Sequence, residues 1–211
     1  MKVGVIDYGV GNIGSVMRAL EAVGGQSILI DSAEDISIAD CYILPGVGGF
    51  SDCSKLLNQG GWTSALQNEV IGLGKPILGI CLGMQLLASY GIEGADGEAT
   101  PGLGLISGRV ESLRDLGCKS PIPHVGWNDT RVVSESEKLF EGIPDKTDFY
   151  FVHSYAFVPD DARHVIAVFE HDITVTAAVR SGSVWGVQFH PEKSSRAGFR
   201  LIQNFLKHSK C

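Results

Sequence analysis

The stretch P-I-L-G-I-C-L-G-M-Q-L-L-A, residues 76–88, decides the fold. Its first part, residues 76–80, is a short apolar run that predicts a buried strand, and residues 82–88 have the apolar spacing of a helix. Near-continuous apolar strands that alternate with helices indicate a parallel sheet with both faces covered. The glycines that flank Cys81 indicate that the turn between this strand and this helix is too tight for side chains at those positions.

The rest of the chain extends this pattern and then changes it. Three further strands are predicted at 2–6, 27–30 and 41–44, and helices at 13–20, with Asn12 as N-cap, and 66–73. After about residue 104, alternating runs joined by polar turns predict antiparallel strands at 109–113, 125–133, 149–158, 165–170, 173–179 and 184–189, before a final amphipathic helix at 199–206. We predict a single domain of residues 1–211 with an α/β fold. Its three α/β/α layers contain a mostly parallel, doubly wound, flavodoxin-like sheet, with antiparallel strands added in the second half.

Composition excludes several classes of function. Of the 211 residues, 17 are Lys or Arg and 24 are Asp or Glu, and the net charge of −7 argues against a nucleic-acid binder. Five scattered cysteines without a C-x-x-C pair indicate free thiols in a reducing compartment and no disulfide framework or metal site. Asp7 interrupts the N-terminal apolar run and the uncharged residues 76–92 include polar side chains, so we expect neither export nor membrane insertion, and a cytoplasmic location.

The strongest chemical motif is G-I-C-L-G at residues 79–83. A nucleophile between two glycines at a strand-to-helix junction is typical of the nucleophile elbow, here with cysteine in place of serine. A helix N-terminus favours a thiolate at Cys81, and the backbone N–H of Leu82 is placed to donate to an oxyanion. The alternative is an inert buried cysteine, since cysteine is often buried.

A thiol nucleophile needs a base, and His190 is the strongest candidate of the six histidines. It ends a β-branched run within Q-F-H-P-E, and Pro191 favours extended geometry at His190. Residues i and i+2 of an extended chain point the same way, so Glu192 is placed to orient the imidazole while His190 activates Cys81. A His-Pro-Glu triplet by itself is more often an exposed turn.

Two glycine-rich loops complete the set of candidates. G-V-G-N-I-G at residues 9–14, with Asp31 at the end of the next strand, matches a dinucleotide fingerprint, although Asp7 places negative charge near a pyrophosphate. P-G-V-G-G-F at residues 45–50 follows the third strand and lies at the same sheet edge as the elbow. Its backbone is suited to supply a second oxyanion donor.

Taken together, these motifs resemble the class I, triad-type glutamine amidotransferases, on the basis of G-I-C-L-G-M-Q at 79–85 and H-P-E at 190–192. Within that class the chain is most similar to the glutaminase subunits of imidazole glycerol phosphate synthases. The similarity rests on D-Y-G-V-G-N at 7–12, P-G-V-G at 45–48, H-V-G-W-N at 124–128, F-V-H-S-Y at 151–155 and G-V-Q-F-H-P-E-K-S at 186–194.

The resemblance implies roles for particular residues. Cys81 attacks the side-chain amide of L-glutamine, His190 relays protons, Glu192 orients His190, and water hydrolyses the glutamyl thioester. The N–H groups of Leu82 and Val47 form the oxyanion hole. Glutamine is bound by Gly48, Gln85, Ser154 and Tyr155. Asn12, Trp127, Tyr150 and Lys193 lie near the partner contact, and no cofactor or metal is implied.

The resemblance also implies a partner, a (β/α)₈-barrel cyclase subunit that receives the ammonia in a heterodimer and makes imidazole glycerol phosphate for histidine biosynthesis. Two alternatives remain open. One is a paralogous glutaminase that feeds another synthase, such as one that amidates a sugar. The other is a non-enzymatic nucleotide-binding module, supported by the loop at residues 9–14.

Overall fold

A large mixed sheet forms the centre of the molecule. The computed structural model describes residues 1–95, 97–134 and 137–209. Its strands, in chain order, are β1 (Lys2–Ile6), β2 (Gln26–Ile30), β3 (Cys41–Gly46), β4 (Ile77–Cys81), β5 (Tyr90–Gly91), β6 (Thr100–Pro101), β7 (Gly108–Ser112), β8 (His124–Val132), β9 (Thr147–His153), β10 (Tyr155–Pro159), β11 (Val165–His171), β12 (Ile173–Ser181) and β13 (Val184–Val187). Nine of them form one sheet in the order β2-β1-β3-β4-β13-β12-β11-β8-β9, and the order β10-β7-β5-β6 forms a second.

Helices cover both faces of the parallel half of the large sheet. They are α1 (Ile13–Ala22), α2 (Phe50–Gln59), α3 (Trp62–Gln67), α4 (Leu82–Leu86) and α5 (Ser195–His208). One π turn and four 3₁₀ turns lie at Asn68–Gly72, Ala33–Ile38, Lys138–Phe140, Ala162–His164 and Pro191–Lys193. The apolar face of α5 is buried through residues such as Leu201 and Phe205.

Side-chain alternation along the parallel strands creates two cores. On β3, Cys41 and Ile43 pack into the core that contains α1 and α5. Tyr42 and Leu44 pack into the opposite core, which contains α2, α3 and α4. Successive side chains of a strand point to opposite faces, so a fully apolar strand requires a helical layer on each side. This arrangement confirms the predicted α/β class, and the parallel order β2-β1-β3-β4-β13 is that of a doubly wound sheet.

The second half of the chain differs from the sequence prediction in two places. The run at 184–189 was expected among the antiparallel strands, but β13 is parallel to β4 and antiparallel only to β12. The single strand expected at 149–158 is two strands in different sheets, interrupted at Ser154. Alternation reports which residues are buried but not the direction of the neighbouring strand, so neither point follows from local pattern.

Two helical segments also differ from the sequence prediction. Helix α2 is absent from the sequence prediction because it exposes a polar face that includes Asp52, Lys55 and Asn58. The helix predicted at 66–73 begins earlier, at Trp62, and continues as the π turn that ends at Gly72.

Candidate active site

Cys81 lies at the point where strand β4 becomes helix α4. Its backbone has φ 55° and ψ −113°, an uncommon and strained combination for a residue with a side chain. A β-carbon at Gly79 would lie 2.6 Å from the carbonyl oxygen of Gly83, and one at Gly83 would collide with the carbonyl of Leu44. Both glycines are therefore needed because strand, turn and helix are in direct backbone contact. The side chain of Cys81 is almost buried.

His190 and Glu192 form a hydrogen-bonded pair after strand β13. Nδ1 of His190 is 2.9 Å from Oε1 of Glu192, and both side chains are buried. Nδ2 of Asn12 donates to the same carboxylate oxygen at 3.3 Å. The backbone N–H of His190 donates to the carbonyl of Tyr150, which ties this segment to strand β9. The carboxylate therefore fixes the ring so that Nδ1 carries a proton.

The charges around His190 favour an imidazolium. Burial acts to lower the pKa of His190, but its interactions with Cys81 and Glu192 outweigh burial and raise the pKa to about 9. Within the described residues, Nε2 of His190 has no partner at hydrogen-bond geometry. The interaction with Cys81 that raises the pKa of His190 therefore brings the thiol close to this nitrogen, which is available for proton transfer.

A pocket of about 290 Å³ opens on Cys81 and His190. All six residues that the sequence indicated for the oxyanion hole and the substrate line it: Val47, Gly48, Leu82, Gln85, Ser154 and Tyr155. Lys193 lines it as well. Strand β3 brings the glycine-rich loop there, because Gly46 pairs with Cys81 in the parallel register. The structure thus brings these residues together, while their individual roles stay predictions.

The other residues indicated for the partner contact lie outside this pocket. Trp127 on β8 is 54% exposed, and its ring centroid is 6.0 Å from that of Tyr150 on β9. Nζ of Lys193 lies 5.9 Å from the centre of the Tyr150 ring, so these three side chains form a continuous group beside the pocket. Asn12 precedes α1 as expected, but its side chain binds Glu192 and does not cap the helix.

Sequence reasoning missed three polar residues of the site. Glu93 and His153 line the pocket, and Oε2 of Glu93 accepts a hydrogen bond from the backbone N–H of Phe50. Burial raises the pKa of Glu93. Gln188 is fully buried, with Nε2 3.8 Å from Sγ of Cys81. Its position two residues before His190 was a usable signal, because alternate residues of an extended run share a face. Glu93 lies in a loop that carries no such signal.

The glycine-rich loop at residues 9–14 has the wrong charge for a dinucleotide. Oδ1 of Asp7 accepts a hydrogen bond from the backbone N–H of Gly9. Asp7 and Asp31 line the same shallow depression beside this loop, and none of the Lys or Arg residues that the structure describes lines it. Two carboxylates at this position oppose a pyrophosphate.

Three absences apply to the described ranges. Across residues 1–95, 97–134 and 137–209, no group of three or more His, Cys, Asp or Glu side chains is arranged to hold a metal ion. None of the helices described is long and apolar enough to cross a membrane. Four cysteines, Cys41, Cys53, Cys81 and Cys118, form no disulfide, and the expected free thiol of Cys211 lies outside the described residues.

Comparisons with known proteins agree with this geometry. Subunit HisH of imidazole glycerol phosphate synthase from Pelagibacter ubique is 39% identical over 98% of this chain and 99% of its own length. Subunit HisH 2 of that synthase from Vibrio vulnificus is 44% identical over 98% of this chain and 94% of its own. A crystal structure of a glutamine amidotransferase shares the fold, with a TM-score of 0.76 at 22% identity over 99% of both chains. The family model for class-I glutamine amidotransferases matches residues 4–209, and the chain therefore belongs to that family.

Proposed function

We propose that this chain is the glutaminase subunit of an imidazole glycerol phosphate synthase and hydrolyses L-glutamine to glutamate and ammonia. Family membership and relatives that carry this subunit name over nearly their whole length support the assignment. One observation carries the chemistry. Cys81 occupies a strained turn in the same pocket as His190, and the other ring nitrogen of His190 is bound to Glu192.

The reaction follows from the open Nε2 of His190. His190 accepts the thiol proton of Cys81, and the thiolate sulfur attacks the amide carbon of glutamine. The imidazolium then donates its proton to the leaving nitrogen, so that ammonia departs and a thioester remains. Water attacks the thioester while His190 takes its proton, and glutamate leaves as the thiolate re-forms. Glu192 stabilises the imidazolium in both halves of the reaction.

Backbone groups and a few side chains hold the substrate. Leu82 and Val47 line the same pocket as Cys81, and their N–H groups donate to the oxyanion of each tetrahedral intermediate. The carboxylate of Glu93 lies in the same pocket and binds the α-ammonium group of glutamine by charge. The remaining binding groups are those of Gly48, Gln85, Ser154 and Tyr155.

The ammonia passes to a (β/α)₈-barrel cyclase subunit in a heterodimer, within histidine biosynthesis in the cytoplasm. Asn12, Trp127, Tyr150 and Lys193 form the face that meets this partner. Support comes from the exposed ring of Trp127 and from its proximity to Tyr150 and Lys193 beside the pocket. The same proposal treats residues 1–211 as one domain, because both cores share strands of one sheet.

A coupled assay of ammonia release tests the proposal. Glutamate and ammonia are measured with glutamine alone, with added cyclase, and with cyclase and its nucleotide ligand, and release should rise sharply in the last case. The Cys81→Ala variant should lose activity, and activity retained in that variant contradicts the role of the thiol. A glutaminase that ignores the cyclase points instead to a paralogous synthase. Failure of a glutamine-analogue electrophile to label Cys81 favours a non-enzymatic module.

A further inference from the structure

Two further histidines, His124 and His153, form a hydrogen-bonded pair at the wall of the pocket. Neither takes part in the catalytic steps above. His124 begins β8, His153 ends β9, and the two residues are opposite each other in the antiparallel register. Nδ1 of His124 is 3.3 Å from Nε2 of His153, and both side chains are buried. Only His153 lines the pocket.

The carbonyl of Tyr155 determines which nitrogen donates and which accepts in each hydrogen bond of this pair. Nδ1 of His153 is 2.8 Å from the carbonyl oxygen of Tyr155, and a carbonyl only accepts, so this nitrogen carries the proton. Nε2 of His153 then accepts from Nδ1–H of His124. Nε2 of His124 accepts in turn from the amide nitrogen of Asn128, at 3.4 Å. The same amide also donates to the carbonyl of Glu170 on β11, which anchors the outer end of the chain of bonds.

Both imidazoles are neutral in this arrangement. Burial lowers the pKa of His153 to about 3 and that of His124 to about 4, and each ring would repel a charge on the other or on His171. A protonated His153 would also lose the acceptor that binds His124. The pair is therefore a fixed set of donors and acceptors and not a proton carrier near neutral pH.

The carbonyl of Tyr155 connects the histidines to the substrate pocket. It also accepts a hydrogen bond from Nε2 of Gln85 at 3.0 Å, and that nitrogen donates as well to Oε1 of Gln188 at 3.0 Å. Both N–H groups of the Gln85 amide are thus used. Its Oε1 has no donor among the described residues, which leaves a hydrogen-bond acceptor available to the pocket that Gln85 lines.

The carbonyl of Tyr155 lies directly after a change from one sheet to the other. Ser154 separates β9 from β10, and the chain passes there from the large sheet to the small one. Two different ladders hold the backbone here: His153 pairs with β8, Tyr155 pairs with β7, and the Ser154 carbonyl accepts a hydrogen bond from the N–H of Leu113. Donors from His153 and Gln85 meet at the carbonyl of Tyr155 and fix its orientation.

We propose that His153 and His124 are positioning residues that hold the Tyr155 carbonyl, and through it the Gln85 amide, so that an acceptor oxygen faces an N–H group of the substrate. The idea rests on the proposed glutaminase function. Neither histidine exchanges a proton with glutamine. Their loss releases the Tyr155 carbonyl, one of the two acceptors that hold the Gln85 nitrogen, and leaves the bond to Gln188 as the second. The Gln85 amide then turns its nitrogen toward the pocket more readily, where it opposes the substrate's own N–H groups.

The test compares leucine and asparagine at position 153 in the full chain with its cyclase. His153→Leu removes the donor to Tyr155, and the KM for glutamine should rise about fivefold to tenfold with kcat changed less than about threefold. His153→Asn keeps a donor near the position of Nδ1, and the KM should stay within about twofold of wild type. His171→Leu is the matched control. Its ring packs 4.2 Å from that of His124 but lies outside the chain of bonds, so the KM should not change.

Two further measurements separate positioning from other roles. Calorimetric titration measures the binding of L-glutamine without turnover in the Cys81→Ala variant. The double variant Cys81→Ala/His153→Leu should bind L-glutamine about fivefold to tenfold more weakly than Cys81→Ala alone. The pH profile of kcat/KM between pH 6 and 9 should keep its shape in both position-153 variants, because a neutral His153 does not titrate there. A shifted profile would make His153 a general base and overturn the proposal.

The outcomes that contradict the proposal are distinct from failure of the proposed function. A wild-type chain that releases no ammonia with its cyclase refutes the function itself. An active wild type, together with an unchanged KM in His153→Leu or equal defects in the leucine and asparagine variants, refutes only the positioning role. If His153→Leu does not unfold cooperatively, His124→Leu breaks the same chain one link further out. An unchanged KM in that variant overturns the proposal.

Discussion

Replacement of Gly83 by alanine should disrupt the turn that carries Cys81. The new β-carbon would collide with the carbonyl oxygen of Leu44 and lie 2.9 Å from its carbonyl carbon. Both partners are backbone, so α4 and β3 must separate by about 1 Å or more to restore ordinary contacts. Overpacking of a buried site costs about 1–3 kcal/mol, and we expect about 3 kcal/mol here because no side chain can rotate away.

Thermal and urea unfolding measure this effect. For a chain of this size about 3 kcal/mol corresponds to a fall in Tm of about 6–12 °C. Displacement of Cys81 should also reduce kcat/KM by about 10²-fold. Gly14→Ala is the control, because the only neighbour of its new carbon is the flexible guanidinium of Arg18 at 3.4 Å. A Gly83→Ala chain within about 1 kcal/mol of wild type would refute the argument that backbone contact requires glycine here.

Two predictions concern ionisable groups. Glu192→Gln removes the charge that favours protonated His190, so the pKa of His190 should fall from about 9. The alkaline limb of kcat/KM should then move to lower pH and kcat should drop by about 10²–10⁴-fold, and a pH–rate profile that matches wild type contradicts the role of the carboxylate. His124 and His153 have lowered pKa values in the folded state, so the unfolded chain binds more protons as pH falls from about 6.5 toward 4. The free energy of unfolding from urea titrations should therefore decrease over that range, and this slope should be shallower in His153→Asn.

The parts of the site that could be predicted are those set by residues that are neighbours in the sequence. The glycines around Cys81 follow from a steric requirement of one turn and can be read from neighbouring residues. The pairing of His190 with Glu192 was expected from extended geometry, but that reason is wrong, because Pro191–Lys193 forms a 3₁₀ turn and the two side chains meet across it. The binding of Asn12 to Glu192 depends on how a loop after β1 meets a segment after β13. That contact, like the presence of Glu93 in the pocket, depends on the packing of distant segments and leaves no local pattern.

The fold shows the same division. The parallel half was predictable because apolar strands and helices alternate along residues 1–88. The direction of β13 was not, because a short apolar run pairs equally well in either direction. Ser154 likewise interrupts a run of alternating residues without a proline or glycine to mark the break.

The central place of β13 has a consequence for synthesis on the ribosome. Strand β4 is complete once residue 81 has emerged, but β13, which covers its second edge, is made more than half a chain later. Until then the nascent chain exposes an apolar strand edge, which is a template for aggregation. The same delay keeps the thiol inactive, because His190 follows β13 directly. The base therefore joins the nucleophile only in this late step, and newly made protein cannot hydrolyse glutamine before β13 closes the sheet.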